Sequence, residues 1–448
     1  MNLNDTIVAS ATPVGYSSIA VIRLSGEQAI KSSKKIFVPT ENIQDFQPNH
    51  VYYGNIVEPD SNNLVDKVLA TFFFSPHSYT GEDVVEISCH GNPLIIDRII
   101  KIFTNLGARV AQRGEFTKRA LLNGKIDLLQ AEAVLDTVYA ACDEARRLAI
   151  EQYEGKLSRK IYDLKSKIVD LLTIVEANID FPEEEDVRYD NVQLSKNIED
   201  IIIEIDELLK SAKVGIKIKE GYKTLIMGKS NVGKSTLFNQ LLGYDRAIIH
   251  EQPGTTRDYL EEGVEIAGFY LRLFDTAGFF LQARGPDAIA RERSEFLIEQ
   301  ADLILLMFDG SEPMNEEDIY LYNLTKDKKK ILIVNKIDLN IRLNDNEILS
   351  DSLKLSAKTG LNIDLLKNSI GNYLVPQFSH QNILLTRQRH IQAVQKVKHY
   401  LNNTKIAQTI ETIAFELHCA LDTIGELTGK TIRKEIIDRI FDEFCIGK

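Results

Sequence analysis

One eight-residue stretch constrains the fold of this chain more than any other. The segment GKSNVGKS at 228–235 matches the pattern GxxxxGK[ST]. It follows a short apolar run at 224–227 that predicts a strand, and it precedes a predicted helix at 236–241. In that setting the glycines let backbone N–H groups turn toward phosphate oxygens, and the helix N-terminus adds the positive end of its dipole. The stretch therefore predicts a polyphosphate site on a strand–loop–helix unit of an α/β domain.

Four further segments follow in the order that a guanine-nucleotide site needs: GTTRD at 254–258, DTAG at 275–278, NKID at 335–338 and SAK at 356–358. DTAG ends a predicted strand at 271–275, and NKID begins where the apolar run 331–335 ends. Chance is a poor explanation for all of them together. The predicted nucleotide contacts are Asn231, Val232, Gly233, Lys234, Ser235, Thr236, Gly254, Thr255, Thr256, Asp275, Thr276, Ala277, Gly278, Asn335, Lys336, Asp338, Ser356, Ala357 and Lys358.

The phosphate side of this site has assignable roles. We expect Lys234 to reach the β- and γ-phosphates, and Ser235 to ligate magnesium together with Thr256. Asp275 would hold the same ion through water, and the backbone N–H of Gly278 would approach the γ-phosphate.

The base is predicted to be guanine. A fixed Asp338 carboxylate accepts two N–H bonds, from guanine N1 and from the exocyclic amine, whereas adenine lacks that pair of donors. Leaving a buried carboxylate unpaired costs about 1–3 kcal/mol or more. The backbone N–H of Ala357 is expected at the guanine O6.

The hydrolytic step has no Ras-type glutamine, because Phe279 follows the DTAG glycine. Charge neutralisation must come from another group. Asn231 offers two readings that the residues alone leave open. Its amide oxygen could help the 254–256 loop to hold a monovalent cation, or it could merely cap the phosphate loop.

Composition indicates a globular protein of more than one domain. The chain has 448 residues, of which 44% are hydrophobic and 26% charged, and single cores rarely exceed about 250–300 residues. The net charge of −12 argues against a broad nucleic-acid footprint. We expect a cytoplasmic protein, since no apolar run approaches the roughly 18 residues of a membrane span. The scattered cysteines and histidines favour neither disulfides nor a transition-metal site.

Element patterns divide the chain into three kinds of structure. Short β-type runs at 18–24, 68–74 and 84–88 predict an N-terminal α+β domain. Strands alternate with helices between about 214 and 374, as in an α/β domain. Helical segments flank that domain, so we expect it to be inserted into a discontinuous helical domain. The first segment carries the stripe of one amphipathic helix, formed by Leu128, Ala131, Leu135, Val138, Cys142, Ala145 and Leu148.

Further motifs carry a family resemblance across the whole chain. They are DTIVA at 5–9, YTGEDVVE at 79–86, HG at 90–91, GEFTKRA at 114–120, LNGKIDL at 122–128, QAEA at 130–133, IDFPE at 179–183 and CIGK at 445–448. With these motifs the chain resembles the bacterial tRNA-modification GTPases of the MnmE family, also called TrmE. The resemblance implies a dimerisation and folate-binding domain at 1–118, helical segments at 119–213 and 379–448, and an inserted Ras-like G domain at 214–378.

The resemblance also implies a function. Members act as homodimers with an FAD-dependent partner, MnmG, and modify the wobble uridine of certain tRNAs at carbon 5. They install an aminomethyl or carboxymethylaminomethyl group, and 5-formyl- or methylene-tetrahydrofolate is the expected one-carbon donor. GTP hydrolysis uses magnesium and is stimulated by potassium, which favours the cation reading of Asn231.

Site residues carry over by motif. The expected potassium ligands are Asn231, His250, Gln252 and Thr255. The expected folate-binding residues are Arg23, Glu86, Lys125 and Lys448. A guanidinium or ammonium suits the folate glutamate tail and a carboxylate suits the pterin N–H groups, although each residue could also be an ordinary surface charge. Cys445 is counted with Asn231 and Lys234 among the catalytic candidates, without a defined role.

One departure concerns the general base. The family glutamate that acts through a bridging water aligns with Asp287, counted back from the matching Arg293 and Ser294. A shorter carboxylate on the same backbone would lie further from the water, so we expect Asp287 to serve with slower hydrolysis.

Two other classes of function compete with this one. A GTPase that assembles ribosomes would usually append a basic RNA-binding module, which the charge of −12 and the acidic C-terminal helices disfavour. A purely structural nucleotide binder is disfavoured by the intact phosphate-loop, DTAG and NKID segments.

Overall fold

The computed structural model describes residues 5–181, 191–244, 261–275, 296–343, 350–374 and 383–447. Two compact units divide the chain. The first contains Met1–Leu135, Tyr153–Ser158 and Asp422–Lys448, and the second contains Asp136–Gln152 and Arg159–Leu421.

Seven strands form one mixed sheet in the first unit. They are β1 (Ile7–Ser10), β2 (Ser17–Ser25), β3 (Phe37–Pro39), β4 (Val51–Val57), β5 (Leu64–Phe73), β6 (Val84–Gly91) and β7 (Arg109–Val110). The order is β3-β4-β5-β6-β2-β1-β7, and every neighbouring pair is antiparallel except β1 with β7. The predicted strands at 18–24, 68–74 and 84–88 are confirmed as β2, β5 and β6, although β5 begins earlier than predicted and ends at Phe73, one residue short of the predicted end.

Helices α1 (Ala29–Ile36) and α2 (Pro93–Asn105) pack on this sheet. Ile36, Ile99 and Phe103 of the helices share a core with Ile22 and Phe72 of the strands. The sequence sets the start of α2 locally, because the Asn92 side chain accepts the Leu94 N–H and Pro93 occupies the first turn. Helix α3 (Glu115–Leu122) follows β7.

The end of the chain folds back into the first unit. Helix α4 (Leu128–Tyr139) contributes Ala131 and Leu135 to a small core with Ile437, Phe441 and Phe444. Ile437 and Phe441 lie in the last helix, α13 (Lys434–Phe441). Both predicted helical segments thus contribute to one core here.

A six-stranded sheet forms the centre of the second unit. Its strands are β8 (Tyr222–Gly228), β9 (Glu261–Ile266), β10 (Phe269–Asp275), β11 (Leu303–Asp309), β12 (Lys330–Asn335) and β13 (Leu353–Lys354). The order is β13-β12-β11-β8-β10-β9, with only β9 antiparallel to its neighbour. All of β11 is buried, as expected for a parallel strand covered on both faces. Around the sheet lie α8 (Lys234–Tyr244), α9 (Glu316–Leu324) and α10 (Ile363–Leu374).

Helices that precede and follow this sheet in the sequence contribute to the second unit. They are α5 (Asp143–Tyr153), α6 (Lys156–Asp180), α7 (Asn191–Glu220), α11 (Gln388–Thr404) and α12 (Ile410–Thr428). Lys398 of α11 pairs with Asp206 of α7 at 2.5 Å, and His418 of α12 contacts Glu176 of α6 at 2.9 Å. The predicted packing of the two helical segments is therefore confirmed for α7 with α11 and for α6 with α12. None of the helices within the described ranges is long and apolar enough to cross a membrane.

The prediction of one continuous amphipathic helix over 128–148 is wrong. Helix α4 ends at Tyr139 and α5 begins at Asp143. The first N–H groups of α5 find acceptors in the β9–β10 hairpin, because Glu144 N–H donates to Gly268 O at 3.0 Å and Asp143 N–H donates to Glu265 Oε1 at 3.2 Å. Contacts distant in sequence therefore break the helix while the apolar stripe continues. The acidic break predicted at 183–186 lies outside the described residues.

The predicted fold class is confirmed: an N-terminal α+β region, helical segments and an inserted α/β domain of Ras-like strand order. The domain boundaries at 118, 213 and 378 stay predictions.

Candidate nucleotide-binding site

Two glycines let the phosphate loop approach neighbouring strands. Gly228 ends β8 with φ of +155°, and a Cβ there would lie 2.5 Å from Met307 O of β11. Gly233 has φ of +104°, and its Cβ would lie 2.4 Å from Asn335 Nδ2 at the end of β12. Side chains at these positions would push the loop away from the carboxyl edge of the sheet, where α/β folds bind ligands.

Lys234 holds its ammonium inside the loop. The residue is 8% exposed, and Nζ donates to Gly228 O and to Lys229 O, each at 2.9 Å. Ser235 and Thr236 are exposed in the first turn of α8, and the N-terminus of a helix favours a bound anion. This places an ammonium and two hydroxyl-bearing residues at one loop.

Asn335 joins three of the predicted segments. Its Nδ2 donates to Val232 O of the phosphate loop at 2.7 Å, and its Oδ1 accepts the Ala357 N–H of the SAK segment at 2.8 Å. The side chain is 3% exposed, so these bonds form away from water. The phosphate loop, NKID and SAK therefore form one connected site.

Ser356 fixes the predicted base-selecting carboxylate. Its hydroxyl, which is buried, donates to Asp338 Oδ1 at 2.6 Å and accepts the Thr359 N–H at 3.3 Å. Asp338 and Lys358 are both exposed, so the base-selecting carboxylate is not buried in this structure, contrary to the expectation from the sequence. A carboxylate held at one oxygen and open to solvent can accept the paired N–H donors of guanine.

Asp309 is a site residue that the sequence reasoning missed. It lies at the end of β11 and accepts a bond from Lys336 Nζ at 2.5 Å. Burial would raise the pKa of Asp309, but the hydrogen bonds from Lys336 and Ser311 lower it below the ordinary aspartate value. The available signal was an acidic residue that ends an apolar strand at the ligand edge.

Two further predicted site residues lie within the described part of the chain. Asp275 ends β10 and pairs with Ile226 of β8, so its backbone reaches the same edge as the phosphate loop. Asn231 is exposed with φ of +63°. The predicted residues that lie outside the described part are His250, Gln252, Gly254, Thr255, Thr256, Thr276, Ala277, Gly278, Asp287 and Lys448, and Phe279 lies there too.

The first unit brings two of the predicted folate residues together. Arg23 of β2 and Glu86 of β6 face each other in register and form an ion pair at 2.7 Å. The Arg23 guanidinium also lies 5.6 Å from the ring centroids of Tyr79 and Phe116. The sequence analysis predicted Arg23 and Glu86 as separate folate-binding residues, whereas in the structure the two side chains form an ion pair with each other.

The other residues of that proposed site lie on two segments. Lys125 Nζ donates to Pro76 O at 3.0 Å. Arg23 Nη1 reaches Gly447 O at 3.5 Å, which brings the C-terminal segment to the ion pair. Cys445 is exposed, and its carbonyl accepts the Gly114 N–H at 3.2 Å.

A phosphate loop, a carboxylate presented to a base and a shared carboxyl edge of a parallel sheet define a P-loop GTPase. Two family models match the chain: "GTP-binding protein TrmE N-terminus" over residues 6–125 and "MnmE helical domain" over residues 128–445. A curated relative from Natranaerobius thermophilus, named tRNA modification GTPase MnmE, is 39% identical over 455 residues and covers 99% of both chains.

Relatives of the same name from Desulforamulus reducens and Aquifex aeolicus are each 38% identical and cover 100% of both chains. The chain belongs to the MnmE family of tRNA modification GTPases.

Proposed function

We propose that this GTPase drives a tRNA modification. With an FAD-dependent partner, MnmG, it installs an aminomethyl or carboxymethylaminomethyl group at C5 of the wobble uridine, using a tetrahydrofolate one-carbon unit. The supporting observation is identity of 38–39% with relatives named tRNA modification GTPase MnmE over essentially the full length of each. The protein would act as a cytoplasmic homodimer.

In the nucleotide site, this chain's residues bind and orient the phosphates. The buried Lys234 ammonium would neutralise β- and γ-phosphate oxygens, and the exposed Ser235 hydroxyl with Thr256 would hold magnesium. Hydroxyl oxygens suit this hard cation, which keeps several waters and binds the phosphates as well. Magnesium supplies charge neutralisation when it is bound.

Potassium would be held beside the phosphates by Asn231, His250, Gln252 and Thr255. The position of Asn231 supports this role, because an exposed amide in a left-handed loop residue can turn its oxygen toward an ion. We expect faster GTP turnover in potassium than in sodium at equal ionic strength. Equal rates in the two salts would remove the cation from the proposal.

Asp287 would orient the attacking water in place of the family glutamate. Asp287→Asn should slow turnover and leave GTP affinity unchanged, because the amide keeps the volume and loses the base. Asp351→Asn, at an exposed aspartate of the same unit, is the control. An unchanged rate in Asp287→Asn would exclude Asp287 from the mechanism.

Tetrahydrofolate would bind in the first unit at Arg23, Glu86, Lys125 and Lys448. The residues suit it, since the Glu86 carboxylate can accept pterin N–H groups and the Arg23 guanidinium is a donor that lies near two aromatic rings. Cys445 lies on the same C-terminal segment as Gly447, which reaches Arg23.

Arg23→Ala should abolish binding of 5-formyl-tetrahydrofolate in calorimetry while GTP turnover is retained. Arg98→Ala removes an arginine of α2 that also forms an ion pair, with Glu58, and serves as the control. Retained folate affinity in Arg23→Ala would reject the assignment.

The modification itself is tested by mass spectrometry of tRNA nucleosides. A strain that lacks this gene should lose the C5-modified wobble uridine, and expression of the wild-type chain should restore it. Lys234→Ala should fail to restore it. Persistence of the modified uridine in the deletion strain would reject the proposed function while leaving the nucleotide site intact.

A further inference from the structure

The segment 309–318, from the last residue of β11 to the first turn of α9, directs three carboxylates at lysines of the nucleotide site. Asp309 pairs with Lys336 of the NKID segment. Glu312 and Asp318 pair with Lys229, which directly follows the first glycine of the phosphate loop. No role was predicted for Lys229 or for its two acidic partners, so this contact needs its own explanation.

Lys229 is a buried, paired cation. The residue is 6% exposed, and Nζ lies 3.1 Å from Glu312 Oε2 and 3.4 Å from Asp318 Oδ2. Burial alone would lower the pKa of Lys229, but the two carboxylates raise it above the ordinary lysine value. The side chain therefore stays charged, and its position is restricted by two partners from one segment.

Asp318 does more than begin α9. Its Oδ2 accepts the Asn315 N–H at 3.1 Å, and Asn315 Oδ1 accepts the Asp318 N–H at 3.0 Å, which completes a capping box. That motif needs an acceptor and no charge. Asp318 is nevertheless 1% exposed, and its Oδ1 has no hydrogen-bond partner within the described ranges. A buried carboxylate is destabilising unless a cation compensates it, and Lys229 supplies that cation.

The backbone of Lys229 connects this ion pair to the phosphate site. Its carbonyl oxygen accepts the bond from Lys234 Nζ at 2.9 Å. A contact at the Lys229 side chain therefore restrains the loop residue whose carbonyl positions the phosphate-binding ammonium.

We propose that Asp318, assisted by Glu312, positions the phosphate loop through Lys229 and thereby sets the affinity for the diphosphate that GDP and GTP share. Asp318 and Lys229 are positioning residues, since they act through Lys234 and the loop backbone. Because Lys234 is expected at both the β- and γ-phosphates, GTP binding depends on this contact at least as much as GDP binding does.

The test compares Asp318→Asn, Lys229→Met and Lys229→Arg in the full-length protein by fluorescent-nucleotide titration. The first two variants lower the affinity for GDP about tenfold or more, as expected for a broken buried ion pair, and the affinity for GTP by at least as much. They raise KM by a larger factor than they lower kcat, and Lys229→Arg restores most of the affinity. Asp318→Asn combined with Lys229→Met loses no more than Lys229→Met alone, because both remove one contact.

Lys330→Met is the control, since this partly buried lysine also makes a side-chain contact in the same unit, donating to Thr325 O at 2.8 Å, but lies at the first residue of β12, at the opposite end of the strand from the nucleotide site. It should lower the thermal midpoint without changing the nucleotide Kd. If Asp318→Asn behaves like this control, the ion pair is only structural and the proposal is overturned. Additive losses, or a loss confined to GTP, would overturn it too.

If Asp318→Asn does not fold, Glu312→Gln at an exposed partner gives the same test with a smaller shift. An unchanged Kd for both nucleotides in Glu312→Gln and Lys229→Met would also reject the proposal. Wild-type binding is measured in the same titrations, so a failure of the nucleotide site itself is distinguishable.

Discussion

Asn335→Asp is the most specific perturbation of the nucleotide site, because it replaces the amide nitrogen of the side chain with an oxygen and hardly changes the volume. The carboxylate keeps an acceptor for the Ala357 N–H, which lies 2.8 Å from Oδ1. It loses the donor to Val232 O and brings a second oxygen to within 2.7 Å of that carbonyl. The phosphate loop would consequently be pushed away from β12.

The magnitude follows from the burial of this contact. Asn335 is 3% exposed, so water cannot replace the lost bond. A buried polar group left unsatisfied costs about 1–3 kcal/mol, and more when it carries charge. We take about 3 kcal/mol, which corresponds to roughly a 100-fold rise in Kd. The Kd for GDP should rise as well as that for GTP, because the phosphate loop contacts phosphates that both nucleotides contain.

Titration of a fluorescent GDP analogue, followed by displacement with GTP, measures both constants. Asn362→Asp is the control, because Asn362 Nδ2 also donates to a carbonyl of the same unit, Lys354 O at 2.8 Å, outside the predicted contacts. It should bind nucleotide normally. Wild-type affinity in Asn335→Asp would refute the conclusion that this side chain holds the loop and the base segments together.

Two further predictions concern single carboxylates. Asp338→Asn should weaken GTP binding about 100-fold and improve binding of xanthosine triphosphate, because the 2-oxygen of xanthine accepts a bond from the new amide. Ser356 still supports the side chain. Competition binding with both nucleotides measures this change, and an unchanged base preference would contradict the prediction. In the first unit, Arg109 and Arg119 form ion pairs with the buried Glu115. Burial would raise the pKa of Glu115, but the hydrogen bonds from Arg109 and the Gln112 N–H lower it below the ordinary glutamate value. The ion pairs therefore stabilise the fold above about pH 4.5, and this contribution disappears as the pH falls through the folded-state pKa of Glu115. Glu115→Gln should lower the free energy of unfolding by about 3 kcal/mol at pH 7 and by progressively less in acid. Urea unfolding across this pH range measures the loss, and a loss independent of pH would contradict the assignment.

The phosphate loop and the strands before each motif could be predicted from sequence because their signals are local. β11 occupies 303–309, as its unbroken apolar run indicates. β8 and β12 begin earlier than predicted, since their first residues, Tyr222 and Lys330, interrupt the aliphatic pattern.

The contacts that the sequence did not reveal join residues far apart in the chain. Lys229 and Asp318 are 89 positions apart, and Asp318 looks like any acid in the first turn of a helix. Arg23 and Glu86 become partners only through the register of β2 on β6, which no local pattern specifies. The break between α4 and α5 likewise depends on acceptors in the β9–β10 hairpin.

The most direct test of a guanine-specific phosphate-loop site is equilibrium binding of GTP and ATP to the purified wild-type chain with magnesium and potassium. The account predicts that GTP binds at least about 100-fold more tightly than ATP, because Asp338 pairs only with the guanine N–H groups. Equal affinity for the two nucleotides, or binding of neither, would contradict it.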